Sequence, residues 1–167
     1  MREFFAEALV LDCKMQGEAD KRVFLYAKNF GKIMGKVKSA RKIKSKLSPN
    51  LQILNFVSAK IIERGGFQII DALKEGNLAM SQKNIKAVEL INDLTEVGET
   101  DLDLWKIIIS GKLEIKKILE SLGFGVKYAS CFNCENKKIK FFSSKDLCFY
   151  CENCVNYERF QEKIYLI

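Results

Sequence analysis

The chain has 167 residues, 48% of them hydrophobic, which is enough to bury a core and too many for a wholly disordered segment. Lys and Arg number 28 against 21 Asp and Glu, and the net charge of +7 is unevenly placed: residues 1–66 hold 14 basic and 6 acidic groups, residues 67–167 hold 14 and 15. There is no histidine, which excludes Ser-His-Asp and Cys-His nucleophiles, His-ligated hydrolytic zinc and imidazole acid–base chemistry, so no enzyme is expected.

The N-terminus, Met1-Arg2-Glu3-Phe4-Phe5, lacks the apolar core of a signal peptide, and no apolar run reaches the roughly 18 residues that span a bilayer. A soluble, intracellular chain is expected. From Phe5 to Asp71 short β-type runs alternate with Gly, Asn and Pro: Phe5 to Cys13, Arg22 to Ala27, Lys32 to Lys38, Leu51 to Glu63 and Phe67 to Asp71. Five such strands suit a small barrel, and Gly65-Gly66 between the last two is a hairpin signal. Beyond residue 72 the apolar spacing becomes helical. Ser81 to Val97 starts on an N-cap residue, and Asp103 to Leu122 is stopped by Gly123, with Gly111 a weak point inside it. Cysteines and aromatics dominate Tyr128 to Tyr157, and neither period is clean.

Charge singles out one stretch. The 42 residues from Lys21 to Ile62 contain 11 Lys or Arg and no Asp or Glu. On the third strand Lys32, Lys36 and Lys38 share a face by period two, and the following segment adds Arg41, Lys42, Lys44 and Lys46. Phosphate backbones call for such an array, because each neutralised phosphate releases condensed counterions. A solvated face normally mixes signs, and no amphipathic helix accompanies the charge to suggest a membrane surface. A barrel with a basic face is the geometry of oligonucleotide-binding (OB) folds. The predicted contacts are Lys21, Arg22, Lys32, Lys36, Lys38, Arg41, Lys42, Lys44 and Lys46. Phe24, Tyr26, Phe30 and Phe56 are aromatics of the same stretch, but alternating aromatics are more often core than stacking platform, so none is assigned.

Cysteines provide the second signal. Cys131-x2-Cys134, sixteen residues, then Cys151-x2-Cys154 is the spacing of a four-thiolate structural zinc site. Pairing through Cys148 and Cys151 leaves thirteen residues between the pairs and fits less well. Cys13, alone in a strand, reads as a small core residue. Glu89 to Asp103 holds six carboxylates and no base, which reads as a solvated helix and loop more readily than as a partner surface.

The N-terminal residues resemble the bacterial recombination mediator family RecO. The resemblance is carried by Glu7-Ala8-Leu9-Val10-Leu11, Gly17-Glu18-Ala19-Asp20, Lys21 to Tyr26, Gly31-Lys32-Ile33 and Ala40-Arg41-Lys42-Ile43-Lys44-Ser45-Lys46-Leu47, with a second match in the cysteine cluster. The chain departs from the family pattern at Ser39, where Gly is usual, and at Ile43, where Pro is common. The resemblance implies a non-enzymatic DNA-repair protein of the bacterial cytoplasm and nucleoid. Such a protein binds single- and double-stranded DNA, anneals complementary strands, works with RecR and single-strand-binding protein, and helps RecA to load. It also favours Cys131, Cys134, Cys151 and Cys154 as the zinc ligands.

The expected fold is therefore α+β: an OB-fold barrel at residues 1–75, then a helical domain at residues 76–167 carrying one structural zinc module at about 128–157. Two rival readings remain at this level. One is a zinc-ribbon accessory factor acting on RNA or a polymerase. The other is a metal-dependent nuclease, for which Glu18 and Asp20 are the chief carboxylates available.

Overall fold

The computed structural model describes residues 2–18, 20–38, 47–155 and 163–167. Five strands, β1 (Arg2–Gln16), β2 (Asp20–Ala27), β3 (Gly31–Val37), β4 (Asn55–Glu63) and β5 (Phe67–Asn77), close into a barrel in the order β1-β2-β3-β5-β4. The long β1 pairs with β2 through one half and with β4 through the other, and β3 meets β5 in parallel, which is the OB-fold expected from sequence. Strict alternation drives the closure. In β4, Val57, Ala59 and Ile61 point inward while Ser58 and Lys60 point out. Small and β-branched residues such as Ala6, Ala8, Val10, Val23 and Ile33 fill the interior.

Two strands differ from the expected bounds. β4 begins at Asn55, because Leu54 takes a left-handed φ of 71° and the Asn55 side chain donates to the carbonyls of Asn50 and Pro49. β5 runs six residues past Asp71. Its Leu73-Lys74-Glu75 reads as helix locally, but the strand stays paired from Ala72↔Ala59 to Asn77↔Asn55, so cross-strand pairing overrides propensity.

Helix α1 (Gln82–Leu94) starts on Ser81, whose Oγ accepts from the Asn84 N–H at 3.2 Å. The single helix expected from Asp103 to Leu122 is two, α2 (Leu102–Ile109), capped by Asp101, and α3 (Ile115–Ser121). The break falls at Gly111, where φ is +70°, a conformation that ends a right-handed helix. A second core joins these helices to the barrel's outer surface: Leu9, Leu11 and Tyr26 of the barrel pack with Val88, Ile91, Leu104 and Ile118. The junction is tight at Gly31, where an added Cβ would lie 1.8 Å from the Glu99 carbonyl oxygen.

Three short strands form the last layer. β6 (Phe141–Ser143) is central between β7 (Cys148–Tyr150) and β8 (Ile164–Leu166). The sequence reading missed this sheet, since three-residue strands carry too little periodicity to register. β8 is tied to α1 by the acidic stretch: Asp93 accepts from Lys163 Nζ, Tyr165 OH and Ser144 Oγ, each at 2.8 Å. Part of that stretch therefore works inside the fold. Among the described residues no helix is long and apolar enough to cross a membrane.

Candidate nucleic-acid interface and metal centre

A β-bulge decides what the barrel's outer face presents. Leu9 pairs with Tyr26 facing out and Val10 with Leu25 facing in. The register then slips between Val10 and Asp12, so Asp12 pairs with Phe24 and Lys14 with Arg22. The extra residue, Leu11, reverses the phase of β1 and brings Asp12 and Lys14 to the outer face, where strict alternation from Val10 would turn them inward. Arg22 pairs in turn with Lys36, and Lys36 with Gln68. Lys14, Arg22 and Lys36 thus form one basic row across three adjacent strands. Directly opposed like charges are destabilising in a sheet, so this row is not something folding alone selects. Phe24 and Met34 lie in the next row, with Lys14 Nζ 5.4 Å from the Phe24 ring centroid.

Carboxylates temper the row without covering it. Lys14 pairs with Asp12 at 3.3 Å and Lys36 with Asp20 at 2.9 Å, and their side chains remain 64% and 44% exposed. Arg22 is exposed and makes no ion pair among the described residues. Asp20, one of the carboxylates a nuclease reading would need, is engaged by Lys36.

The other expected contacts divide. Lys21 faces the end of the barrel and donates to Ser48 Oγ at 2.9 Å. Lys38 is exposed just past β3. Lys32 does share the outer face with Lys36, but at the far end of β3, where its ammonium donates to the Asn92 and Thr95 carbonyls at the end of α1. Burial there pushes its pKa below the ordinary lysine value, against the opposing pull of Glu96 and Asp93. Arg41, Lys42, Lys44 and Lys46 lie outside the described residues. Lys14 lies outside the acid-free window because Asp20 and Glu18 end that window before it, and only strand pairing sets it opposite Arg22.

The metal centre is built from two similar turns. In the first, the Glu135 N–H donates to the Cys131 carbonyl at 2.8 Å; in the second, the Val155 N–H donates to the Cys151 carbonyl at 3.1 Å. β7 delivers Cys151, and the Phe132 N–H to Phe149 carbonyl bond at 2.9 Å sets the first turn beside it. The four ligand atoms of Cys131, Cys134, Cys151 and Cys154 all lie within 4.8 Å of one another. Cys148 is not in this cluster; its thiol donates to the Asp146 carbonyl at 3.3 Å.

The donor set suits a cation. Against burial, which opposes ionisation, main-chain N–H groups of Cys151, Cys134 and Asn133 lower the Cys131 thiol to about 6. Hydrogen bonding to the Cys134 and Cys151 thiols pushes Cys154 up to about 12. The cluster thus favours a thiolate at Cys131 and opposes ionisation at Cys134 and Cys154, and a bound cation relieves that opposition. Cys134 and Cys151 sulfurs are 3.7 Å apart, close to the edge of about 3.8 Å of a tetrahedron with metal–sulfur bonds of about 2.3 Å. These four residues can hold a metal ion, and four thiolates close a tetrahedral site with no position left for a reactive water.

The comparisons with known proteins agree with this geometry. Residues 1–78 match the family model described as recombination protein O N terminal, which covers the barrel through Leu78. Over 92% of its length the chain is 26% identical to 71% of the DNA repair protein RecO of Dehalococcoides mccartyi strain CBDB1. It is also 26% identical to the RecO of Thermoanaerobacter sp. strain X514 (93% of this chain, 73% of that protein) and 25% identical to that of Alkaliphilus metalliredigens (95% and 74%). The closed OB barrel matches the RecO N-terminal family model, and similarity to RecO proteins runs well past the barrel, which supports the RecO family for this chain.

Proposed function

We propose that this chain is a DNA-binding recombination mediator that uses the outer face of β1, β2 and β3 to hold phosphate backbones of single- and double-stranded DNA. The observation that carries the reading is the Lys14–Arg22–Lys36 row, continued at the same end of the barrel by Lys21 and Lys38. A basic row on an open sheet neutralises several phosphates at once and reads no base, which is what a protein acting on any sequence requires. Strands whose charge is screened by a shared basic surface approach each other more easily, so annealing follows from the same feature. Arg41, Lys42, Lys44 and Lys46 extend the electrostatic footprint in this reading. Similarity to proteins named for DNA repair supports a role in repair, and working with RecR and single-strand-binding protein to assist RecA loading is the form of that role proposed for this chain.

Within this reading Cys131, Cys134, Cys151 and Cys154 hold one zinc ion that is structural. Its contribution is folding free energy for a module whose own buried cluster is small, Cys131, Tyr150 and Cys151, and the chain acts without catalysing a reaction.

The test is annealing of complementary labelled strands. No Gly-x4-Gly-Lys-Ser/Thr loop is present in the sequence, so pairing should be accelerated equally with and without ATP. A strict ATP requirement, or no acceleration at concentrations that saturate DNA, would overturn the reading.

A further inference from the structure

Two largely exposed aromatic rings lie at the first cysteine turn and just before it. Tyr128 is 78% exposed and Phe132 is 64% exposed, whereas Phe142, Tyr150 and Tyr165 of the neighbouring sheet are almost fully buried. Phe132 lies between Cys131 and Cys134, and its backbone is fixed by the bond to the Phe149 carbonyl. Its ring touches the sheet only edge-on, 6.3 Å from the Tyr150 centroid at 63°. Tyr128 ends a short 3-10 turn (Val126–Tyr128), and Lys127 Nζ lies 5.5 Å from its ring centroid.

The surroundings are basic. The Cys131 N–H donates to the Asn136 carbonyl at 2.9 Å, which folds the turn back so that Lys137 and Lys138 emerge beside Cys131, and both lysines are exposed. Glu135 is the one acid between Lys127 and Lys138. Rings left in water beside lysines, on a segment stapled by thiolates, are the parts of a single-strand platform: bases stack on the rings while the cations hold the backbone. An apolar protein partner would call for a continuous apolar patch. Here the second ring is followed directly by an exposed polar and charged run, Asn133, Glu135, Asn136, Lys137 and Lys138, and the first is preceded by Lys127.

We propose that Tyr128 and Phe132, with Lys127, Lys137 and Lys138, form a second nucleic-acid contact on the metal module that stacks unpaired bases. The barrel row grips phosphates irrespective of bases; this surface gives the chain its hold on single strands. The proposal deepens the DNA-binding reading above and rests on it.

The test uses the full chain and two probes, a 20-nucleotide oligothymidine and an abasic chain of the same length and charge. Tyr128→Ala with Phe132→Ala should weaken oligothymidine binding about ten- to a hundredfold and leave the abasic probe within about twofold. Because truncating Phe132 removes its contact with Tyr150, Tyr128→Ala alone is the control for folding and should show a smaller loss of the same base-dependent kind. Lys14→Gln, Arg22→Gln and Lys36→Gln together should weaken both probes. Unchanged oligothymidine affinity in the aromatic variants would overturn the proposal and leave the rings to a protein partner. Equal loss on both probes would overturn it too, since stacking cannot act on an abasic chain. A wild-type chain that binds neither probe would remove the barrel reading and this one together, whereas an effect of the barrel variant alone would leave the barrel reading standing.

Discussion

Lys32 reaches from β3 to the end of α1, where its Nζ donates to the Asn92 carbonyl at 2.5 Å and to the Thr95 carbonyl at 3.1 Å. A cation on the last carbonyls of a helix satisfies acceptors that lack an intrahelical partner and faces the negative end of the helix dipole. The residue joins the barrel to the helices, and its neighbours do the same: the Gly98 N–H donates to the Lys32 carbonyl, and the Asp101 N–H donates to Tyr26 OH.

Lys32→Met should therefore cost about 1–2 kcal/mol of stability, read from denaturant midpoints. The salt dependence of DNA binding should stay close to wild type, in contrast to Arg22→Gln. A variant of normal stability with a flattened salt slope would return Lys32 to the DNA surface.

For the metal, the decisive pair is Cys148→Ser and Cys154→Ser. The first should keep one zinc per chain and near-normal melting, since Cys148 stands outside the four-sulfur cluster. The second should lose the ion and loosen the β6–β7–β8 layer while the barrel, with its separate core, stays folded. Metal analysis of the purified variants with circular dichroism checks both. The reverse pattern of metal loss would exchange the ligands.

Much of the barrel was legible because its strands alternate cleanly and its interior is apolar, as in Val57, Ala59 and Ile61. The four-cysteine cluster was legible because two short spacings bring the thiols together without reference to the rest of the fold. What escaped depends on contacts between distant segments. Lys14 reaches the basic row only through a bulge at Leu11, and β8 forms only against β6 and Asp93. Lys32 looked like its neighbour Lys36 because period two assigns a face; it cannot say that α1 covers one end of that face and leaves the other open.

The central claim is that the outer face of β1, β2 and β3 binds DNA electrostatically, and the salt dependence of affinity tests it most directly. With Lys14, Arg22 and Lys36 changed together to Gln, the slope of log affinity against log salt on single-stranded DNA should flatten by about 2, at about 0.7 per lost phosphate contact, with weakening alike for all sequences. A slope equal to wild type in a correctly folded triple variant would contradict the claim and place the DNA elsewhere on the molecule.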